Sequence, residues 1–182
     1  MKMKKLALIL LLSCSSLSLF AQHIFSTTKG SVSFFSETLL ENIQADNSKT
    51  AAIINAETNE MAVQMRITDF QFPNKLMQEH FNENYLESEK FPTSVFKGKI
   101  KEKADLTLAG TYQVTAEGTL TMHGVSHQVL IPGTVVSDGK QLKLDFKFPV
   151  KLEDYKIEIP TIVFSKIAEV VDVSGNMVLD KK

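Results

Sequence analysis

Tyr112-Gln113-Val114-Thr115-Ala116-Glu117-Gly118-Thr119-Leu120-Thr121-Met122 alternates an apolar or small residue with a polar one along its whole length. Successive side chains of an extended chain point to opposite sides, so a period of two gives one face that buries and one that meets water. This is the pattern of a half-buried strand in an antiparallel sheet. It returns at Leu142, Leu144, Phe146, Phe148, Val150 and Leu152, set against Lys143, Asp145, Lys147 and Lys151. Met61, Val63, Met65 and Ile67 repeat it, as do Val171, Val173, Gly175, Met177 and Leu179. Phe70 and Phe72 resume in the opposite phase, which predicts a β-bulge near Thr68 and Asp69.

Turn residues separate these runs. Asp138-Gly139 suits a two-residue type I′ hairpin, Thr58-Asn59 another tight turn, and Asp46-Asn47-Ser48 a loop. Consecutive strands are therefore expected to be neighbours. Pro73 to Ser88 departs from the pattern, because Leu76, Met77, Phe81, Tyr85 and Leu86 recur at helical spacing. Pro73 can start a helix there, and Phe91-Pro92 prevents it from continuing. The reading is all-β: a closed antiparallel barrel of about eight strands with one inserted helix as a plug or lid.

The chain has 182 residues, 43% apolar and 23% charged, which suits one soluble domain. Its single cysteine, Cys14, has no partner for a disulfide and excludes a multi-cysteine zinc site. Lys2, Lys4 and Lys5 precede an apolar run from Leu6 to Leu12 and a second stretch, Leu17 to Ala21, while no acidic residue occurs before Glu37. That is the anatomy of a secretory signal cleaved after Ala21, which leaves residues 22–182 as a single domain, periplasmic or secreted. The competing reading takes Leu11-Leu12-Ser13-Cys14 as a lipobox, giving a lipoprotein anchored through Cys14. Ser13, Ser15, Ser16 and Ser18 interrupt the apolar run, so no stable membrane span is expected. Without the leader, acidic residues outnumber basic ones, which does not suit a nucleic-acid partner.

A small barrel either fills its interior with side chains or keeps room for an elongated ligand. The twelve phenylalanines against three tyrosines and no tryptophan, with Met61, Met65, Met122 and Met177 inward, favour contact with hydrocarbon. A dry packed core shows the same alternation. If the interior is hollow, its candidate ligand-facing residues are Val63, Met65, Ile67, Leu76, Phe81, Tyr112, Val114, Leu120, Leu144, Phe146, Phe148 and Val173.

His80-Phe81, Tyr85-Leu86, Ser88, Phe91-Pro92-Thr93 and Phe96 resemble the "HL … L-x-S … YP-x-x-F" block of the YceI-like family. Gly110, Gly118-Thr119-Leu120-Thr121 and His123-Gly124-Val125 resemble its "G … G-x-L-T-x-x-G-V" block, and Asp154-Tyr155-Lys156-Ile157 with Pro160 its "D-[FY]-x-I … P" element. Order and spacing agree over most of the mature chain. The resemblance implies a lipocalin-like antiparallel barrel, an exported location, and a polyisoprenoid or other long-chain lipid inside. The chain departs from the pattern at Met77-Gln78, where the family often has Arg-Asp, and in Gly30 to Asn47, which lacks the usual histidine and the Gly-x-Phe after it.

Other chemistry finds less support. His123 and His127 could approach one another across a Gly124-Val125 turn and make a metal site with His80. No carboxylate is placed in the sequence as their obvious partner, so they read as turn or surface histidines, and His80 as orienting its helix through a backbone hydrogen bond. Glu153 and Asp154, adjacent on a strand, would point to opposite faces and could not flank one bond. No Gly-x-Ser-x-Gly elbow, phosphate-cradling glycine loop or nucleophilic cysteine stands in the mature chain. Lys143, Lys147 and Lys151 form an outer polar face. Three functions remain: a lipid carrier without turnover, a filled stress-response barrel, and an accessory protein presenting an isoprenoid quinone. No cofactor is implied beyond such a lipid or quinone, and a homodimer is left open. Intact-mass measurement of the exported protein should give a chain starting at Gln22; a lipidated N-terminal Cys14 would refute that boundary.

Overall fold

The alternating segments become eight strands in a computed structural model, which describes residues 23–40, 42–159 and 167–182. They are β1 (Ile24–Glu37), β2 (Asn42–Asn55), β3 (Glu60–Arg66), β4 (Thr93–Ile100), β5 (Gly110–Met122), β6 (Val125–Ser137), β7 (Gln141–Lys151) and β8 (Val170–Lys181). Each pairs antiparallel with the next, and β8 returns to β1, so the sheet closes into a barrel. The segment expected to be a cleaved signal, with Cys14 and Ala21, and Pro160 lie outside the described residues. No helix among the described residues is long and apolar enough to cross a membrane.

The phase slip after β3 is a 3₁₀ turn, Ile67–Asp69, rather than the expected bulge. Residues three apart eclipse one another in such a turn, and both Ile67 and Phe70 are therefore buried. Asp46-Asn47-Ser48 is likewise not a loop, because β2 runs through it with a shift in register against β1. Asn47 is fully buried there and replaces lost ladder bonds with its side chain: Nδ2 donates to the Arg66 carbonyl (3.0 Å) and Oδ1 accepts from the Lys49 amide (2.9 Å).

At Asp138-Gly139 only the glycine has positive φ (81°), so the turn is not type I′. The Asp138 carboxylate instead accepts from the amides of Lys140 (2.8 Å) and Gln141 (2.7 Å). Positive φ at both central positions occurs at His123 (51°) and Gly124 (72°), which join β5 to β6.

The helical segment is α1 (Lys75–His80) continued by a π turn, Phe81–Tyr85. Asn74, rather than Pro73, sets its start by accepting from the Leu76 amide at 2.9 Å. Glu87, at φ 43°, ends the segment before Phe91-Pro92 is reached. The segment crosses one end of the barrel. The other end is packed solid: Phe25, Ile54, Leu106, Leu142 and Leu179 are completely buried, Leu106 belonging to the connection between β4 and β5.

Gly98 and Gly118 pair directly across β4 and β5. A Cβ on Gly118 would lie 2.3 Å from the Lys97 carbonyl oxygen and 2.5 Å from Gly98 Cα, and neither backbone atom can rotate away. Gly118→Ala is expected to lower the unfolding free energy by about 1–3 kcal/mol in urea titration, the usual range for overpacking. A loss under about 0.5 kcal/mol would show that the two strands separate freely.

Candidate binding cavity

Between α1 and the packed end, the inward side chains leave a cavity of about 460 Å³, within the span of about 300–1,000 Å³ usual for small-ligand sites. Val63 and Met65 reach it from β3, Val114 and Leu120 from β5, Leu144, Phe146 and Phe148 from β7, and Val173 from β8. Ile67 lines it from the 3₁₀ turn, Leu76 from α1 and Phe81 from the π turn. Tyr112 does not line it. Its position is in phase with the inward set, but it lies at the packed end, where its hydroxyl donates to the Asp105 carbonyl (2.8 Å) and the Leu108 carbonyl stands 3.2 Å away.

The roof is an aromatic cluster centred on Phe34, whose ring centroid lies 5.7 Å from those of Phe70 and Phe72 and 5.4 Å from that of Phe81. Phe81 in turn meets Phe72 at 5.0 Å and Phe70 at 5.6 Å. Phe34 and Ile43 are lining residues absent from the sequence-derived set. The adjacent pair Phe34-Phe35 leaves the inward phase undecided; the alternation of Val32, Phe34 and Ser36 was the available signal. Met77 presents a thioether chain to the cavity.

Polar groups in the lining are largely engaged elsewhere. Ser94 Oγ donates to the Thr121 carbonyl (3.2 Å), Ser36 Oγ accepts from the Ala168 amide (2.9 Å), and the exposed Asp145 carboxylate accepts from Asn176 Nδ2 (2.7 Å). The phenol of Tyr85 also borders the cavity, and burial pushes its pKa up, so it stays neutral there. Lys143, Lys147 and Lys151 are all exposed outside.

The histidines do other work. His123 Nδ1 faces the Tyr155 carbonyl at 3.0 Å, and its Nε2 faces the Glu87 carboxylate at 2.8 Å, so a carboxylate partner exists that the sequence did not reveal. His127 Nε2 faces the Asp154 carbonyl at 2.6 Å. Together they bind the β5–β6 end of the barrel to the chain that follows β7. His80 is exposed at the cavity rim, and among the described residues its ring makes no backbone hydrogen bond, contrary to expectation. Among the described residues no three His, Cys, Asp or Glu side chains converge on a metal position.

Glu153 and Asp154 stand on a 3₁₀ turn, Leu152–Tyr155, not on a strand. Lys156, at φ 55°, then reverses the backbone, and Tyr155 and Ile157 are both buried. Burial, with the Asp154 charge second, pushes the Tyr155 phenol up to about 12.

An eight-stranded antiparallel barrel with an apolar interior and a helical cover defines a lipocalin-like protein. The family model of the YceI-like domain matches residues 12–179, and the chain belongs to that family. No curated protein sequence matches it. It is similar in structure to a polyisoprenoid-binding domain from Saccharophagus degradans implicated in plant cell wall breakdown, at 12% identity and a TM-score of 0.77, covering 88% of this chain and 99% of that one. BcnA of Burkholderia cenocepacia gives 18% identity and a TM-score of 0.69 over 82% of this chain and 96% of its own. The YCEI protein of Campylobacter jejuni gives 17% identity and 0.59, over 80% and 88%. At these identities the likeness is one of fold.

Because the folded-state pKa of Tyr155 lies above the ordinary 10, the unfolded chain loses that proton first. Its contribution to stability is complete below about pH 10 and is lost as pH rises from about 10 to 12. Denaturant midpoints measured across that window should fall more steeply for the wild type than for Tyr155→Phe. Parallel curves would mean that the phenol ionises without constraint.

Proposed function

We propose that this protein is an exported carrier that holds a long-chain lipid, a polyisoprenoid among the candidates, inside its barrel without chemical turnover. The apolar cavity carries the reading, since a filled stress-response barrel would have no such volume. The polyisoprenoid binding of the Saccharophagus degradans domain and the family membership support it. The leader-like N-terminus supports periplasmic delivery or secretion. The apolar lining supports binding over catalysis, because it offers a substrate few groups with which to exchange a proton or a bond.

Magnitudes agree with a tail-binding role. At about 30 Å³ for a carbon-sized group, the share a water molecule has in the liquid, the 460 Å³ cavity holds on the order of fifteen carbons. Each buried methylene contributes about 0.8 kcal/mol, and a micromolar dissociation constant needs about 8 kcal/mol. Fifteen carbons therefore exceed that requirement by a few kcal/mol, which ordering of the tail offsets. Such contacts measure length and bulk poorly, so recognition of the tail is loose.

Mass spectrometry of an organic extract from purified protein should find a long-chain lipid. Val114→Glu and Leu144→Glu place a charge against the tail and should abolish retention in protein that still folds. Lys143→Glu, on the outer surface, should leave it intact. A wild type that carries no lipid and takes up none when offered, or a folded Val114→Glu that retains the same lipid, overturns the reading.

A further inference from the structure

The two ends of the barrel differ in a way that the cavity alone does not require. At the packed end, the connection between β4 and β5 is tied down: Leu106 is fully buried and its carbonyl accepts from Ser137 Oγ at 2.8 Å. The exposed residues around it include the charged Lys101, Glu102, Lys103 and Asp105, with Leu108 as a single exposed leucine among them. At the cavity end, Leu39 is completely exposed and its neighbour Leu40 is 67% exposed, at the tip of the β1–β2 connection. Ser36 and Ile43, on either side of that tip, line the cavity. Leu76 of α1 lines the cavity as well, yet is 57% exposed. The Phe34–Phe81 contact at 5.4 Å ties β1 to the helical segment, so these leucines share one rim.

Single exposed aliphatic side chains are ordinary, and Leu130 and Val178 stand that way on the outer wall. An adjacent pair at the mouth of a hydrocarbon cavity is a different case. We propose that this rim docks on a lipid bilayer of neutral headgroups, with Leu39, Leu40 and Leu76 entering the interface, and that the cavity loads there. The proposal rests on the carrier reading above. It follows from continuity: Leu76 belongs both to the lining and to the rim, so a tail leaving a bilayer under the docked rim meets apolar surface throughout and crosses no water. A tail longer than the cavity needs the same cover. Charge selects the kind of surface, because among the described residues at this end the exposed acids, Glu37, Glu79, Glu83 and Glu89 among them, outnumber the exposed bases, Lys75 and Lys90 among them, and an anionic surface would repel it.

The absence of tryptophan makes the test direct, since an indole introduced at one position is the sole reporter of its kind. Leu39→Trp in the full chain should show a blue-shifted emission and lose quenching by iodide when phosphatidylcholine vesicles are added. Leu108→Trp, exposed at the packed end, should show neither change. Exchanging part of the phosphatidylcholine for an anionic lipid should weaken the response of the Leu39→Trp variant, and added salt should restore it. Leu39→Glu with Leu40→Glu, which leaves the core untouched, should slow uptake of lipid from vesicles without lowering the amount finally held. Uptake by a Leu39→Trp protein whose indole emission never changes refutes docking and leaves the carrier reading standing. A shift of that emission without any uptake upholds docking and removes the carrier reading. An indole already shielded in a vesicle-free dimer of the same variant overturns the proposal in favour of a second copy on the rim.

Discussion

Closure of β8 onto β1 is the constraint from which the rest of the structure follows. Once the sheet is closed, every strand must send alternate side chains into one shared interior, and their summed volume decides whether that interior is solid or hollow. The packed end is filled by large residues such as Phe25, Leu106 and Leu179. Nearer α1, small inward residues such as Ala116 and Gly133 alternate with large ones, and the space they leave belongs to the cavity. Phe146 shows how finely the volume is shared: its ring tip would lie 2.3 Å from a Cβ on Gly175, so the aromatic side chain occupies the notch that a glycine on the next strand provides.

A closed sheet has no element of its own to cover an open end, and here the cover is attached by aromatic contact. Phe34 comes from β1, Phe70 and Phe72 from the segment between β3 and α1, and Phe81 from the π turn. Their mutual contacts seat an eleven-residue helical segment that has no fully buried residue of its own. Such a cover is held by a few packed rings rather than by a continuous ladder, and elements of that kind open at lower free energy than the strands around them. Separately, His123 and His127 secure the chain after β7 against the β5–β6 turn, using backbone carbonyls of Tyr155 and Asp154.

The sequence was most legible where a strand obeys one period for its whole length. The β5 and β7 runs gave their inward faces directly, because burial on one side is what alternation encodes. It was least legible where the chain changes conformation within a few residues. A bulge and a 3₁₀ turn both shift the phase after Ile67, and only the buried pair Ile67 and Phe70 distinguishes them. Asn47 looked like loop chemistry because the same amide that stabilises a loop can replace ladder bonds inside a bulged strand. Tyr112 kept the inward phase, but alternation gives the side of a strand and not the height along the barrel, so nothing in the run placed it beside Asp105. The Glu87 partner of His123 was hidden for a related reason: the two meet only because the barrel brings the end of the helical segment over the β5–β6 turn.

Met77 joins the fold to its chemistry. A guanidinium at that position would put a fixed charge into the apolar lining, where desolvation is costly unless an acid pairs with it. Here the adjacent residue is Gln78, whose side-chain oxygen accepts from the Phe72 amide (3.4 Å) and so braces the aromatic cluster. The Met77 thioether chain adds adaptable apolar surface to the lining. A lining of this kind distinguishes what it encloses by volume rather than by charge, and the exposed His80 ring is one of its few polar groups at the rim.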